Sequence, residues 1–161
     1  MNLTIKKMTT AAFAIAITAL LFTACKKNKM DVPVDLTKRT TAQLSGANET
    51  PKVESTGTGT VTIAYDPISK TITYKTIWQL GSSTATTLNM HFHGAADGSD
   101  LKSSPVVIGI TGFSTMNSGE FSGTTRALTL DEESQFLSGK WYFNIHSSTY
   151  PGGELRANIK F

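Results

Sequence analysis

The sequence predicts an all-β fold, an antiparallel Greek-key β-sandwich of about eight short strands. From position 42 onwards, runs rich in threonine, valine, isoleucine and aromatic residues are separated by turns that contain glycine, serine, aspartate or proline. Within these runs apolar and polar side chains alternate, which is typical of antiparallel strands with one buried and one solvated face. Two such sheets pack face to face, and 161 residues suffice for one domain with a sizeable core.

The first 24 residues predict a lipoprotein signal peptide. A basic start, MNLTIKK, precedes an uncharged apolar run over 9–24, and Cys25 follows Ala24 directly. The run is short for a transmembrane helix, which needs ~20 apolar residues. The layout resembles a bacterial lipoprotein signal, which is cut before a cysteine that then carries lipid at its thiol. An ordinary secretory signal cut near Ala24, with Cys25 incidental, is the alternative.

Residues 25–41 predict a flexible tether, and 42–161 the β-sandwich domain. The tether is polar, contains Pro33 and shows no apolar period. Cys25 is the only cysteine, so the domain has no internal disulfide and no thiolate metal site.

The calculated pI of about 9.0 does not describe the domain. Residues 42–161 carry eight basic and ten acidic side chains, a net charge of −2, so the basic excess lies in the signal and the tether. Without a basic patch interleaved with aromatic residues, the domain is not expected to bind nucleic acid. The basic tether either lies against anionic headgroups or is a solvated linker.

The predicted strands follow one another along the domain. In chain order they are VTIAY (61–65), TITYKTIWQL (71–80), TLNMHFH (87–93), SPVVIGI (104–110), TTRALTL (124–130), KWYFNIH (140–146) and ELRANIKF (154–161). One segment, DEESQFLSG (131–139), has helical character, because acidic residues open it and Gly139 closes it. We expect a single helical turn or a short helix there.

The three histidines of the chain fall into two motifs. His91 and His93 share one strand face, about 7 Å apart, because side chains alternate along a strand. His146 shares the polar face of a later strand with Asn144 and Tyr142. If the two strands are neighbours, the three imidazoles converge into a ligand set for copper or zinc, with a fourth position open. Otherwise the histidines are surface groups, or are hydrogen-bonded to loop backbone.

Glu154 and Arg156 share a strand face directly after the sequence PGG. Three interpretations stay open: a surface ion pair, a pairing of Arg156 with Glu49 that ties the first and last strands together, or a Glu154 that orients a histidine. A structural role is favoured. No nucleophile elbow or phosphate loop is present, so the sequence indicates no catalytic residue and an enzyme is not favoured.

Three motifs in order resemble the CHRD domain, the family named for chordin, over about 42–161. The matching residues are Leu44, Gly46, Glu49 and Pro51, then His91, His93 and Gly94, then Asn144, His146, Pro151, Gly153, Glu154 and Arg156. Ala157 stands where the family usually has glycine. The resemblance implies an exported module, since such domains accompany growth-factor-binding modules in chordin and occur in bacterial lipoproteins.

Together these observations predict a membrane-anchored, non-catalytic binding or structural module of the cell envelope, on the periplasmic or cell-surface side. Its expected contacts are the membrane, through lipidated Cys25, and a protein or glycan partner. The alternative is a copper- or zinc-binding protein that uses His91, His93 and His146. A weaker similarity to copper–zinc superoxide dismutase supports that layout. That enzyme, however, needs more histidines than this chain has, and it also needs a disulfide.

Overall fold

The computed structural model describes residues 34–94 and 102–161, and this part of the chain is all-β. The strands are β1 (Lys38–Ser45), β2 (Thr58–Asp66), β3 (Thr71–Gln79), β4 (Thr87–Gly94), β5 (Val106–Ile110), β6 (Ser118–Thr124), β7 (Trp141–Ser147) and β8 (Leu155–Asn158). A 3-10 helix, Gly46–Asn48, follows β1, and helix α1, Leu130–Leu137, precedes β7. The predicted class and the number of strands are confirmed.

The eight strands form one antiparallel sheet in the order β5-β4-β7-β8-β1-β2-β3-β6. The sheet is curled, so that its two halves face each other across the core as in a sandwich. Tyr74 of β3 meets Phe92 of β4 edge to face, with ring centroids 5.2 Å apart, although four strands separate them in the sheet. Trp78 of β3 likewise donates its indole N–H to Thr87 Oγ1 of β4 over 2.9 Å.

The predicted alternation identifies the core side of most strands. Buried apolar side chains on these strands include Val61, Ile63, Tyr65, Ile72, Tyr74, Trp78, Met90, Phe92, Phe143, Ile145, Leu155 and Ala157. The opposite face of each strand was predicted to be exposed to solvent. On β7 and β8 that prediction is wrong. Tyr142, Asn144 and Arg156 are at most 3 % exposed, because polypeptide segments cover this second face.

One predicted strand, TTRALTL, is wrong. Residues 125–129 are coil, and Thr129 caps α1 through a capping box with Glu132. The true strand, β6, was missed because glycines occupy positions where apolar side chains were expected. At Gly119 a Cβ would lie 2.7 Å from Trp78 Cη2, and at Gly123 it would lie 2.6 Å from the Tyr74 hydroxyl. Aromatic rings from β3 therefore fill the space that β6 side chains would otherwise take.

Helix α1 begins at Leu130, one residue before the predicted segment 131–139. Gly139, with φ of +71°, ends that segment as expected. The first strand begins at Lys38, so residues 38–41 of the predicted tether lie in β1. The predicted signal peptide, 1–24, and Cys25 lie outside the described residues. Within the described residues, no helix is long and apolar enough to cross a membrane.

Candidate functional site

The three histidines lie on neighbouring strands, β4 and β7. His91 pairs in register with Asn144 and His93 with Tyr142, while His146 stands opposite Asn89 next to an irregularity in β4. Their side chains extend from the sheet face opposite the core residues of β4, as the alternation predicted. β4 and β7 are therefore neighbours in the sheet, which was the condition for the three imidazoles to converge.

His91 and His146 are in direct contact. His91 Nδ1 lies 3.2 Å from His146 Nε2, and His146 Nδ1 lies 2.8 Å from the carbonyl oxygen of Pro151. Because a carbonyl only accepts, His146 carries its proton on Nδ1 and donates it to Pro151. In the neutral form of His146, the Nε2 lone pair then points into the cluster and accepts the Nδ1–H of His91.

His93 is held between two oxygens. Its Nδ1 lies 2.7 Å from the carbonyl oxygen of Ser104, and its Nε2 lies 3.0 Å from Asn144 Oδ1. The ring stacks on Tyr142 at 4.5 Å with an interplanar angle of 6°. A neutral imidazole carries one N–H and so satisfies only one of the two oxygens. With the proton on Nδ1, the Nε2 lone pair has no hydrogen-bond donor.

The three rings offer nitrogen atoms that all lie within 4.8 Å of one another. The 3.2 Å between His91 Nδ1 and His146 Nε2 is close to the edge of a tetrahedron with metal–nitrogen bonds of 2.0–2.1 Å, which is about 3.3 Å, and His91 would ligate through Nδ1 once its proton is on Nε2 instead. Burial, followed by the electrostatic effects of His146 and His93, lowers the pKa of His91 to about 4. Burial also lowers the pKa of His93, so both rings are neutral at pH 7, the form that ligates a metal.

Arg156 braces the histidine cluster from β8. Its guanidinium carbon lies 3.5 Å from the centroid of the Tyr142 ring, the ring on which His93 stacks. Its Nε donates to Asn158 Oδ1 over 2.9 Å and its Nη1 to the carbonyl oxygen of Lys102 over 3.1 Å. Arg156 is 1 % exposed, so the structure does not contain the surface ion pair with Glu154 considered above.

Glu154 is fully buried but does not orient a histidine. Its Oε1 accepts the Ser55 hydroxyl over 2.6 Å and the backbone N–H of Gly81 over 2.7 Å. These two bonds join the segment before β2 and the β3–β4 turn to the start of β8. The histidines are instead oriented by backbone carbonyls of Pro151 and Ser104.

Glu49 lies beside this network. It is 8 % exposed, and a Cβ at Gly153 would approach its Oε1 to 2.6 Å and Asn144 Nδ2 to 3.1 Å. Burial raises the pKa of Glu49 to about 7, against the opposing effects of the Arg156 charge and the Asn144 amide. The predicted pairing of Arg156 with Glu49 was to tie the first and last strands together. In the structure the charge of Arg156 acts on Glu49, but the two strands are joined by the backbone pairing of Ser45 with Arg156.

Among the described residues, this face is covered by the 3-10 helix with the chain that follows it, by residues 102–105 and by the turn 148–153. Asn48 Nδ2 donates to the carbonyl oxygen of Arg156, the Tyr142 hydroxyl accepts from Ser104 N, and the Tyr150 hydroxyl donates to the carbonyl oxygen of Glu54. Sequence reasoning missed Tyr142 as a site residue. The strand alternation placed Tyr142 on the same face as His146, but its stacking on His93 follows only from the strand pairing.

The fold and the site define a class: an all-β module with a buried polar face built around a histidine cluster. A sequence profile for the CHRD domain matches residues 40–159, and the chain therefore belongs to the CHRD domain family. No curated protein and no solved structure matches the chain. Membership in the family suggests an extracellular binding or structural module.

Proposed function

We propose that this protein is a non-catalytic, lipid-anchored binding module of the cell envelope, and that its ligand is a copper or zinc ion held by His91, His93 and His146. The observation that carries the metal proposal is the convergence of three imidazole nitrogens within 4.8 Å. Imidazole nitrogens suit both ions, and a fourth coordination position would stay open for water or a small ligand.

The surroundings of the rings support this proposal. His93 and His146 each direct Nδ1 at a backbone carbonyl, which is the usual outer contact of a metal-ligating histidine, because it fixes the tautomer and aims Nε2 at the ion. With the proton of His93 on Nδ1, its Nε2 lone pair, which faces Asn144 Oδ1 at 3.0 Å, would be available to the ion. His93 then has to leave Asn144 Oδ1, so closure of the site requires a side-chain adjustment.

The proposed binding is tested by calorimetric titration of the purified, untagged full chain with Cu²⁺ and with Zn²⁺. We expect one ion per chain. Loss of an outer contact of a metal ligand weakens metal affinity by ~10–100-fold. Loss of the ligand itself should cost at least as much. We therefore expect His91→Ala, His93→Ala and His146→Ala each to weaken metal binding by about 100-fold or more. Asn89→Ala is the matched control, since Asn89 is exposed on β4 and pairs in register with His146.

Equal binding by the histidine variants and the wild type would contradict the metal site. No binding by the wild type would leave the histidines as structural groups of a module that binds a protein or a glycan. X-ray absorption of the loaded protein provides a second readout, because imidazole ligands give characteristic outer-shell scattering.

The proposed anchoring depends on Cys25, which follows the predicted signal. In a bacterial host we expect the wild type in the membrane fraction and Cys25→Ser in the soluble envelope fraction. Mass spectrometry of the wild-type amino terminus should show acylation at Cys25. A Cys25→Ser protein that stays membrane-bound would contradict lipid anchoring and would leave the metal proposal unaffected.

A further inference from the structure

Exposed apolar side chains gather at one end of the domain. Because neighbouring strands are antiparallel, β1 begins, β2 ends, β3 begins and β6 ends at this end. We call it the tether end, since residues 34–37 of the predicted tether lead into β1 there. Ten large apolar side chains are exposed among the described residues, and six of them belong to segments at the tether end. These six are Val34, Leu36, Ile68, Leu130, Leu137 and Phe161.

Contacts within the domain hold the segments of the tether end together. Leu128 N donates to the carbonyl oxygen of Lys70 over 2.9 Å, so the start of α1 lies beside the β2–β3 turn that contains Ile68. The carboxyl-terminal residue Phe161 meets Phe136 of α1 edge to face, with ring centroids 5.3 Å apart. The exposed apolar groups therefore stand on one connected surface.

The fold does not use the side chains of Ile68 and Leu130, which are 81 % and 73 % exposed. The β2–β3 turn is formed by Asp66, whose carboxylate accepts the N–H of Ile68 and the hydroxyl of Ser69. The start of α1 is formed by the capping box of Thr129. Grouped apolar side chains that the core does not need are typical of a surface that contacts a partner or a membrane.

We infer that the tether end lies against the lipid bilayer, with Ile68 and Leu130 in the interfacial region. This inference rests on the proposed lipid anchor at Cys25. Nine positions separate Cys25 from Val34, so the chain between them spans at most ~30 Å. An acylated Cys25 would keep the tether end within that distance of the membrane surface. The opposite end is one strand length farther along the domain, ~30 Å for the nine residues of β3.

The charges of the tether end favour an apolar contact over an electrostatic one. Three ion pairs there join a base to an acid: Arg39 with Asp35, Lys70 with Glu133, and Arg126 with Glu132. The other acids, Asp66 and Asp131, are nearly balanced by Lys38, Lys140 and Lys160. A surface with so little net charge gains little from anionic headgroups, whereas apolar side chains gain from leaving water at any bilayer surface. The contact should therefore form on zwitterionic vesicles.

The test measures the depth of a single fluorescent label on the acylated protein in phosphatidylcholine vesicles. Cys25 is the only cysteine, and lipid would block its thiol, so Ile68→Cys or Leu130→Cys provides the one labelling site. An NBD label at position 68 or 130 should emit at shorter wavelength and be quenched by spin-labelled lipids. Met116→Cys is the matched control, because Met116 is 66 % exposed and lies just before β6, at the opposite end. A label at position 116 should show neither effect.

A second measurement separates the surface from the label itself. Quenching of the label at position 130 should be lost when Ile68→Ser is added, because the neighbouring apolar group is then removed. It should be unchanged when Met116→Ser is added. Both serine changes are at exposed positions, and the core residues stay as they are.

Mass spectrometry and flotation of the vesicles establish first whether the protein is acylated and bound. Absence of acylation overturns both the anchor and this inference. An acylated, floating protein whose labels at positions 68 and 130 behave like the label at position 116 overturns this inference and leaves the anchor standing. The inference also fails if Ile68→Ser and Met116→Ser have equal effects on quenching, or if quenching requires anionic lipid.

Discussion

The Nδ1 atom of His91 lies 3.2 Å from the Nε2 atom of His146, although 55 positions separate the two residues in the chain. The pairing of β4 with β7 produces this contact, and Pro151 fixes the tautomer of His146 that makes it attractive. With His93 two residues from His91, the contact creates a compact set of three imidazoles on a covered face of the sheet.

Metal loading should stabilise the fold. An ion that binds only the folded state at a free concentration of 100 times its Kd adds about 2.7 kcal/mol to the free energy of unfolding. We expect Zn²⁺ to raise the urea midpoint of the wild type, and a chelator to reverse the change. The midpoint of His146→Ala should not respond, and an equal response in that variant would place the stabilising ion elsewhere.

Glu49 should make stability depend on pH. Its pKa is raised to about 7 in the folded state from an ordinary value of 4.5, so the folded state binds the proton more tightly than the unfolded state. The favourable contribution is complete below pH 4.5 and is lost as the pH rises through 7, by about 3 kcal/mol in all.

The measurement for Glu49 compares urea unfolding of the wild type and Glu49→Gln from pH 4.5 to 8 with chelator present. The wild type should lose stability relative to the variant across this range. The lowered pKa of His91 acts in the opposite direction, but both proteins contain His91, and its effect cancels in the difference. A pH-independent difference would show that Glu49 has an ordinary pKa.

Arg156→Lys should be destabilising even though it keeps the charge. The guanidinium stacks on Tyr142 and also donates from Nε and Nη1 to two different acceptors, and a lysine ammonium does not reproduce this planar arrangement. We expect a loss of about 2 kcal/mol, within the range for hydrogen bonds of charged groups. Arg126→Lys at an exposed ion pair is the comparison and should change stability by less than about 1 kcal/mol.

Glu154→Ala should destabilise the fold by about 3 kcal/mol, because it leaves the Ser55 hydroxyl and the Gly81 N–H without their shared acceptor. Glu154→Gln keeps an oxygen at that position and should cost less. Chemical denaturation of the two variants tests the order. Similar losses in both would mean that the negative charge, rather than the acceptor oxygen, stabilises the two loops.

The sequence predicted the fold class, most strands and the face on which each histidine lies, because a strand has a side-chain period of two. It did not predict β6, since the apolar groups at those positions belong to Trp78 and Tyr74 of another strand. It also assigned Arg156 and Glu154 to a wet face, because alternation shows which side chains share a face but does not show whether loops cover that face.

The sequence by itself determined that His91 and His93 point the same way, and that the domain has no cysteine with which to build a metal site. Only the tertiary structure decided that β7 lies next to β4, that the carbonyls of Ser104 and Pro151 orient two of the rings, and that Glu49 is buried beside them. The physical reason is that local periodicity depends on the backbone of one strand, whereas strand order and loop coverage depend on how the whole chain buries its apolar surface.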